Sequence, residues 1–223
     1  MLIITHSTFL IITVLDYNLT DKMIPGLAID IDETLSWTIG YWVGTMQKLF
    51  GNPENLSQNQ LIAKYRYTQN VPYWQTKEAE AWMEEQRFSN ELQTKLPLID
   101  GANTYLTKIS KIIPISAYTT TRPDKVKDGT QKWLEQNNFP KAEIICRPSE
   151  LPFNKGDEWK AKFIKENNSR FIGVIDDKPQ IAELLGEEYN GTIFLYEHAN
   201  VNNQSNVISC KDWKTIYEKV KEM

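Results

Sequence analysis

Short apolar runs separated by amphipathic stretches constrain this chain more than any other feature. Residues 26–31 (GLAIDI), 112–117 (IIPISA), 142–146 (AEIIC), 171–175 (FIGVI) and 192–196 (TIFLY) are short, apolar and closely bounded, which predicts five buried strands. Between them, residues 125–137, 158–167 and 180–185 place Trp133, Leu134, Phe163 and Ile164 at helical spacing. Strands alternating with helices predict an α/β fold with a mostly parallel sheet covered on both faces.

One interval breaks the alternation. Residues 36–96 carry no good strand signal but have helix-like stretches at 37–50, 56–65 and 76–95, so they are expected to form an inserted helical module. Ten of the chain's 25 aromatic side chains fall there, including Trp37, Trp42 and Trp74. Most are expected to fill the module's small core, and a few to face a ligand. Near the end, residues 200–206 read as a polar loop and 211–223 as an amphipathic helix.

Composition excludes several functions. At 41% hydrophobic and 24% charged residues, the 223-residue chain is globular rather than disordered or fibrous. Its net charge of −4 supplies no positive field for a phosphate polymer, so no nucleic-acid partner is expected. Cys146 and Cys210 are too far apart for a metal or redox motif, and a reduced cytoplasmic protein is the simplest expectation. The apolar run at 2–15 lacks the preceding basic residues and the cleavage site of a signal peptide, and it is too short to cross a membrane. Residues 1–22 are therefore read as an extension, either an extra strand or sequence upstream of a start at Met23.

The residues that carry chemistry gather at predicted strand ends. Asp30 and Asp32 follow the first strand, two residues apart, and so face one side of an extended chain. They repel unless a cation or proton lies between them. A DxDxT string arises by chance in about 4% of chains of this composition, so its place at a strand end matters more than the string. Asp176 and Asp177 end the fourth strand, which puts both pairs on one sheet edge; Asp177 could equally cap the helix that follows. Carboxylates without His or Cys suit a hard ion such as Mg²⁺. The run Thr119-Thr120-Thr121-Arg122-Pro123 after the second strand offers hydroxyls and N–H groups to an oxyanion, or a helix cap. Lys160, early in the helix before the fourth strand, could neutralise a carboxylate and a phosphoryl oxygen together; Lys155, Lys162 and Lys165 are nearby competitors, and most lysines on a helix are solvated.

In this order the four elements resemble the haloacid dehalogenase (HAD) superfamily of phosphohydrolases: DxDxT, Thr, Lys and Asp-Asp, over residues 27–177. The resemblance implies a Rossmann-like core with strand order 5-4-1-2-3 formed by residues 23–35 and 97–223, and a helical cap inserted at 36–96. PLIDG at 97–101, the T-x-R of Arg122, and Thr130, Trp133 and Leu134 in TQKWL are similar to the 5′(3′)-deoxyribonucleotidase-type branch.

What the resemblance implies chemically is a Mg²⁺-dependent phosphomonoester hydrolase acting on a small phosphorylated substrate such as a nucleotide. Asp30 is then the nucleophile, Asp32 the general acid and base, Thr120 (or Thr119) a phosphoryl-oxygen ligand and Lys160 a neutralising cation. Asp30, Asp176 and Asp177 hold the metal with the Asp32 backbone carbonyl, and Thr34, Thr119, Arg122, Trp37, Trp42 and Trp74 are candidates for substrate contact. Two alternatives remain: a phosphatase of polynucleotide ends, which the acidic balance disfavours, and a non-hydrolytic phosphoacceptor or binding module. A receiver domain carries its acceptor Asp after the third strand, where this chain has Cys146-Arg147.

Overall fold

The computed structural model describes residues 24–198 and 205–223. The expectations for the run at 2–15 and for Met23 lie outside the described residues. The chain begins with β1 (Gly26–Ile29), followed by α1 (Thr38–Phe50), α2 (Gln58–Tyr65), α3 (Lys77–Arg87), α4 (Asn90–Gln93) and α5 (Ala102–Ile109). Alternation then sets in: β2 (Ile115–Pro123), α6 (Lys127–Gln136), β3 (Glu143–Arg147), α7 (Gly156–Glu166), β4 (Phe171–Asp176), α8 (Pro179–Leu185) and β5 (Thr192–Tyr196). It closes with β6 (Val207–Cys210) and α9 (Trp213–Lys221).

All strand pairs are parallel, and the sheet order is β3-β2-β1-β4-β5-β6. This is the expected 5-4-1-2-3 order read from the other side, with β6 added at the edge beside β5. β1 is buried along its whole length. Leu27 and Ile29 face one core with Trp133 and Trp213, while Ala28 faces the other with Ile164, Val174 and Ile181. The sheet is therefore a middle layer, as buried parallel strands require. Trp133 is fully buried and donates from Nε1 to the Leu96 carbonyl at 2.7 Å, which ties α6 to the chain entering the core.

The helices of the 36–96 interval have a core of their own, built from Val43, Met46, Leu61, Val71, Trp74, Ala79 and Met83. Their ends are set by local chemistry. Ser57 and Gln60 form a capping box on α2, and Thr76 caps α3. The stretch expected to be one helix over 76–95 breaks at Phe88, because the Ser89 hydroxyl accepts the Leu92 N–H and starts α4. Trp42 packs against both this core and the sheet's. Gly129 of α6 sits so close to Asn90 of α4 that a Cβ there would collide with the Asn90 backbone, and its N–H donates to Asn90 Oδ1 at 2.6 Å.

Candidate active site

The chain leaves β1 through a tight turn that sets two carboxylates in different company. The Asp30 N–H continues the ladder to the Ile175 carbonyl at 2.9 Å, fixing Asp30 beside the end of β4. The Leu35 and Ser36 N–H groups both donate to the Ile31 carbonyl, and Glu33 takes a left-handed φ of 60°. The turn brings the start of α1 over Asp32. Trp37 offers no side-chain cap to that helix, and Glu33 Oε1 instead accepts the Ile39 N–H at 2.5 Å. Burial pushes the Glu33 carboxyl up to about 8.

Asp30, Asp176 and Asp177 have carboxylate oxygens within 4.8 Å of one another. Lys160 is fully enclosed between them; its ammonium donates to Asp30 Oδ1 and, at 2.6 Å, to Asp176 Oδ2. Burial works to lower the lysine, but Asp176 and Asp30 outweigh it and hold it charged. Burial, aided by Asp176 and Asp32, pushes Asp30 up to about 7 despite the opposing lysine. Asp177 is raised well above the usual carboxylate range by burial and by Asp176 and Asp30. Its Oδ1 is buried and makes no hydrogen bond, so capping does not explain it; Asp176 Oδ1 is the atom that takes the Lys178 N–H, at 2.9 Å. Two of the three carboxylates share one ammonium, and Asp177 Oδ1 has no partner. An all-oxygen donor set with uncompensated charge fits a divalent cation of the Mg²⁺ type.

Asp32 stands outside that cluster. Its carboxylate accepts Arg122 Nε at 3.1 and 3.0 Å, Arg122 Nη2 at 2.7 Å and Thr38 Oγ1 at 2.6 Å. Burial works to raise Asp32, but the charge and hydrogen bonds of Arg122, with Thr38, leave it below the usual range. Arg122 is 6% exposed, and its side chain bonds to Asp32, Ser36 and Thr130.

The remaining expected residues divide. Thr119 and Thr120 lie inside β2, whose strand runs on to Pro123 instead of ending in a turn at 117. The Thr120 hydroxyl donates to Asp32 Oδ2 at 3.4 Å, whereas Thr119 Oγ1 is buried without a partner. Thr34 is fully buried, its carbonyl accepting Trp213 Nε1 at 2.9 Å, so it does not reach a ligand as expected. Trp74 is likewise corrected: it is fully buried in the helical core and donates to the Gly51 carbonyl at 2.9 Å. Trp42 lies edge-on to Trp82, with centroids 5.5 Å apart, while Trp37 is 37% exposed beside the turn. Sequence reasoning missed Ser36, Thr38 and Lys178. Lys178 pairs with Asp157 at 2.8 Å near the carboxylates, and its place directly after Asp-Asp was the one available signal.

No family model matches the sequence, and no curated protein matches it either. Solved structures do match in fold. A HAD-superfamily hydrolase of subfamily IA from Geobacter sulfurreducens aligns with a TM-score of 0.57 at 11% identity, covering 89% of this chain and 97% of its own. The likeness is one of fold. A predicted phosphatase from Clostridium acetobutylicum (TM-score 0.52, 12% identity, 90% of this chain and 100% of its own) aligns similarly. So does a hydrolase from Pseudomonas syringae (TM-score 0.51, 17% identity, 89% and 99%). Among the described residues no helix is long and apolar enough to cross a membrane.

Proposed function

We propose that this protein is a Mg²⁺-dependent phosphomonoester hydrolase that works through an aspartyl-phosphate on Asp30. One observation carries the reading: three carboxylates gather at the ends of β1 and β4, two of them hold a single buried ammonium, and a buried oxygen of the third, Asp177, has no partner. Asp30, Asp176 and Asp177 would hold the cation. When bound, it supplies the positive charge that lets an anionic carboxylate and an anionic phosphate approach each other.

The chain's own groups divide the remaining work. Asp30 attacks phosphorus, splitting hydrolysis into two displacements. Lys160 keeps the nucleophile oriented and adds charge at the transferring group. Asp32, held ionised by Arg122 in the free site, takes up a proton as the anionic phosphate arrives, passes it to the leaving oxygen and later takes one from water. The substrate class is a small phosphorylated metabolite. A nucleotide is favoured by the T-x-R and T-x-x-W-L sequence pattern and by Trp37, an indole exposed beside the turn that follows Asp32.

The test is phosphate release from nucleoside 5′- and 3′-monophosphates, sugar phosphates and p-nitrophenyl phosphate, with Mg²⁺ or EDTA, comparing wild type with Asp30→Asn. The expected result is turnover that needs Mg²⁺ and falls to the buffer rate in the variant. Turnover that survives Asp30→Asn would remove the nucleophile from the scheme, and equal rates on all substrate classes would remove the nucleotide preference.

A further inference from the structure

We infer that Arg122 is a positioning residue that holds Asp32 at one orientation, with Thr130 and Ser36 seating the arginine; this rests on the hydrolase reading above. Every nitrogen of the guanidinium is committed to a protein oxygen. Nε and Nη2 grip the Asp32 carboxylate, Nη2 also donates to Ser36 Oγ at 3.0 Å, and Nη1 donates to Thr130 Oγ1 at 3.2 Å. The backbone closes the arrangement: the Arg122 N–H donates to Thr120 Oγ1 at 3.1 Å, and that hydroxyl turns its proton toward Asp32. An arginine kept for a substrate phosphate would leave donors open on one side. This one has four of its five N–H groups on protein oxygens and a single Nη1 N–H to spare.

The geometry points instead to control of where Asp32 aims. An aspartate turns about two single bonds, and a planar fork on its carboxylate fixes both the direction and the plane of the oxygens. The Asp32 side chain is 28% exposed while Arg122 is nearly enclosed, so the carboxylate is open only on the side away from its anchor. A group that moves a proton to a leaving oxygen must already point at it, and misplacement by about 1 Å can cost 100-fold. Thr130 is fully buried in α6, and seating Arg122 gives its hydroxyl a role.

Single-turnover experiments with enzyme in excess and Mg²⁺ present would compare wild type, Arg122→Gln, Arg122→Lys and Thr130→Val. Two substrates separate the possibilities: a nucleoside monophosphate, whose alkoxide must be protonated to leave, and p-nitrophenyl phosphate, whose phenolate need not be. For Arg122→Gln the saturating rate on the nucleotide should fall about 100-fold, with half-saturation moving less than about twofold and p-nitrophenyl phosphate losing far less. Thr130→Val should show the same contrast on a smaller scale, and Arg122→Lys should fall between. Should Arg122→Gln fail to fold, the near-isosteric Thr130→Val decides. A rise in half-saturation with the rate preserved would make Arg122 a substrate ligand and overturn the inference. Equal losses on both esters would reduce it to a structural residue and do the same. Wild type inactive on every ester would overturn the hydrolase reading and this inference together, whereas either variant result with active wild type overturns only the inference.

Discussion

Asp30 and Asp32 are two residues apart on one extended segment, yet the regions around them are built on opposite plans. On the β4 side, Asp30, Asp176 and Asp177 cluster, one ammonium pairs with the first two, and a buried oxygen of Asp177 is left unpaired. On the β2 side, a single carboxylate collects a guanidinium and the Thr38 and Thr120 hydroxyls. The first region has fewer positive groups than negative, and the second has its charge matched inside the protein. A site missing a cation is one that a ligand completes. A site already matched has an orientation to keep. The same sequence motif thus serves two physical purposes because different neighbouring strands flank its two carboxylates.

The largest effect should come from removing the buried cation of the first region, Lys160. Lys160→Met leaves Asp30 and Asp176 buried without their shared partner, and breaking a buried ion pair from one side costs about 3–5 kcal/mol. Urea unfolding of metal-free protein at neutral pH would measure this. A loss no greater than about 1 kcal/mol, as for an exposed pair, would mean that the cluster is open to water and would erase the contrast with Asp32.

Adding the missing cation should have the next largest effect. Mg²⁺ at 100 times its dissociation constant should add about 2.7 kcal/mol to wild type. The sign for Asp177→Asn depends on pH. Burial raises the Asp177 carboxyl far above its ordinary value, so as pH climbs past about 4 the unfolded chain ionises first and the metal-free fold loses stability. The variant avoids that loss. In EDTA it should melt above wild type at pH 8 and level with it near pH 4; in Mg²⁺ at pH 8 the order should reverse. Thermal melts across this range that show the two proteins parallel in EDTA would contradict the unpaired buried carboxylate.

How much of this could be read from the sequence follows from the same contrast. The strands β1, β4 and β5 were legible because they are largely buried and read as unbroken apolar runs, whereas their order came from the resemblance and not from the runs. β6 was not: its four residues, VISC, are mostly half-buried at the sheet edge and follow a polar segment. The second strand was cut short at 117 because Thr119, Thr120 and Thr121 are polar, although β-branched residues suit a strand. The Asp30, Asp176 and Asp177 grouping was legible because parallel strands deliver their ends to one edge, while Lys160, on a helix among other lysines, was singled out only by the resemblance. The Arg122–Asp32 pair was not, since 90 residues separate its members and an arginine beside hydroxyls reads equally well as a phosphate ligand. Trp74 and Thr34 were misread for a related reason: residue type carries no information about which side of a module faces inward.

The smallest predicted effect tests the second region where it meets the helical module. Thr38 is the first residue of α1, and its hydroxyl makes that helix's one direct hydrogen bond to Asp32 among the described residues. Thr38→Val keeps the side chain's shape and removes a bond to a part-exposed carboxylate, for which about 0.5–1.5 kcal/mol is expected in urea unfolding. If Asp32 is held chiefly by Arg122, the same variant should leave half-saturation unchanged and lower single-turnover rates by less than Arg122→Gln does, because the guanidinium fork survives. A rate loss as deep as that of Arg122→Gln would show that the orientation of Asp32 is set jointly from the sheet and from α1. The matched region would then depend on the inserted module as well as on the sheet.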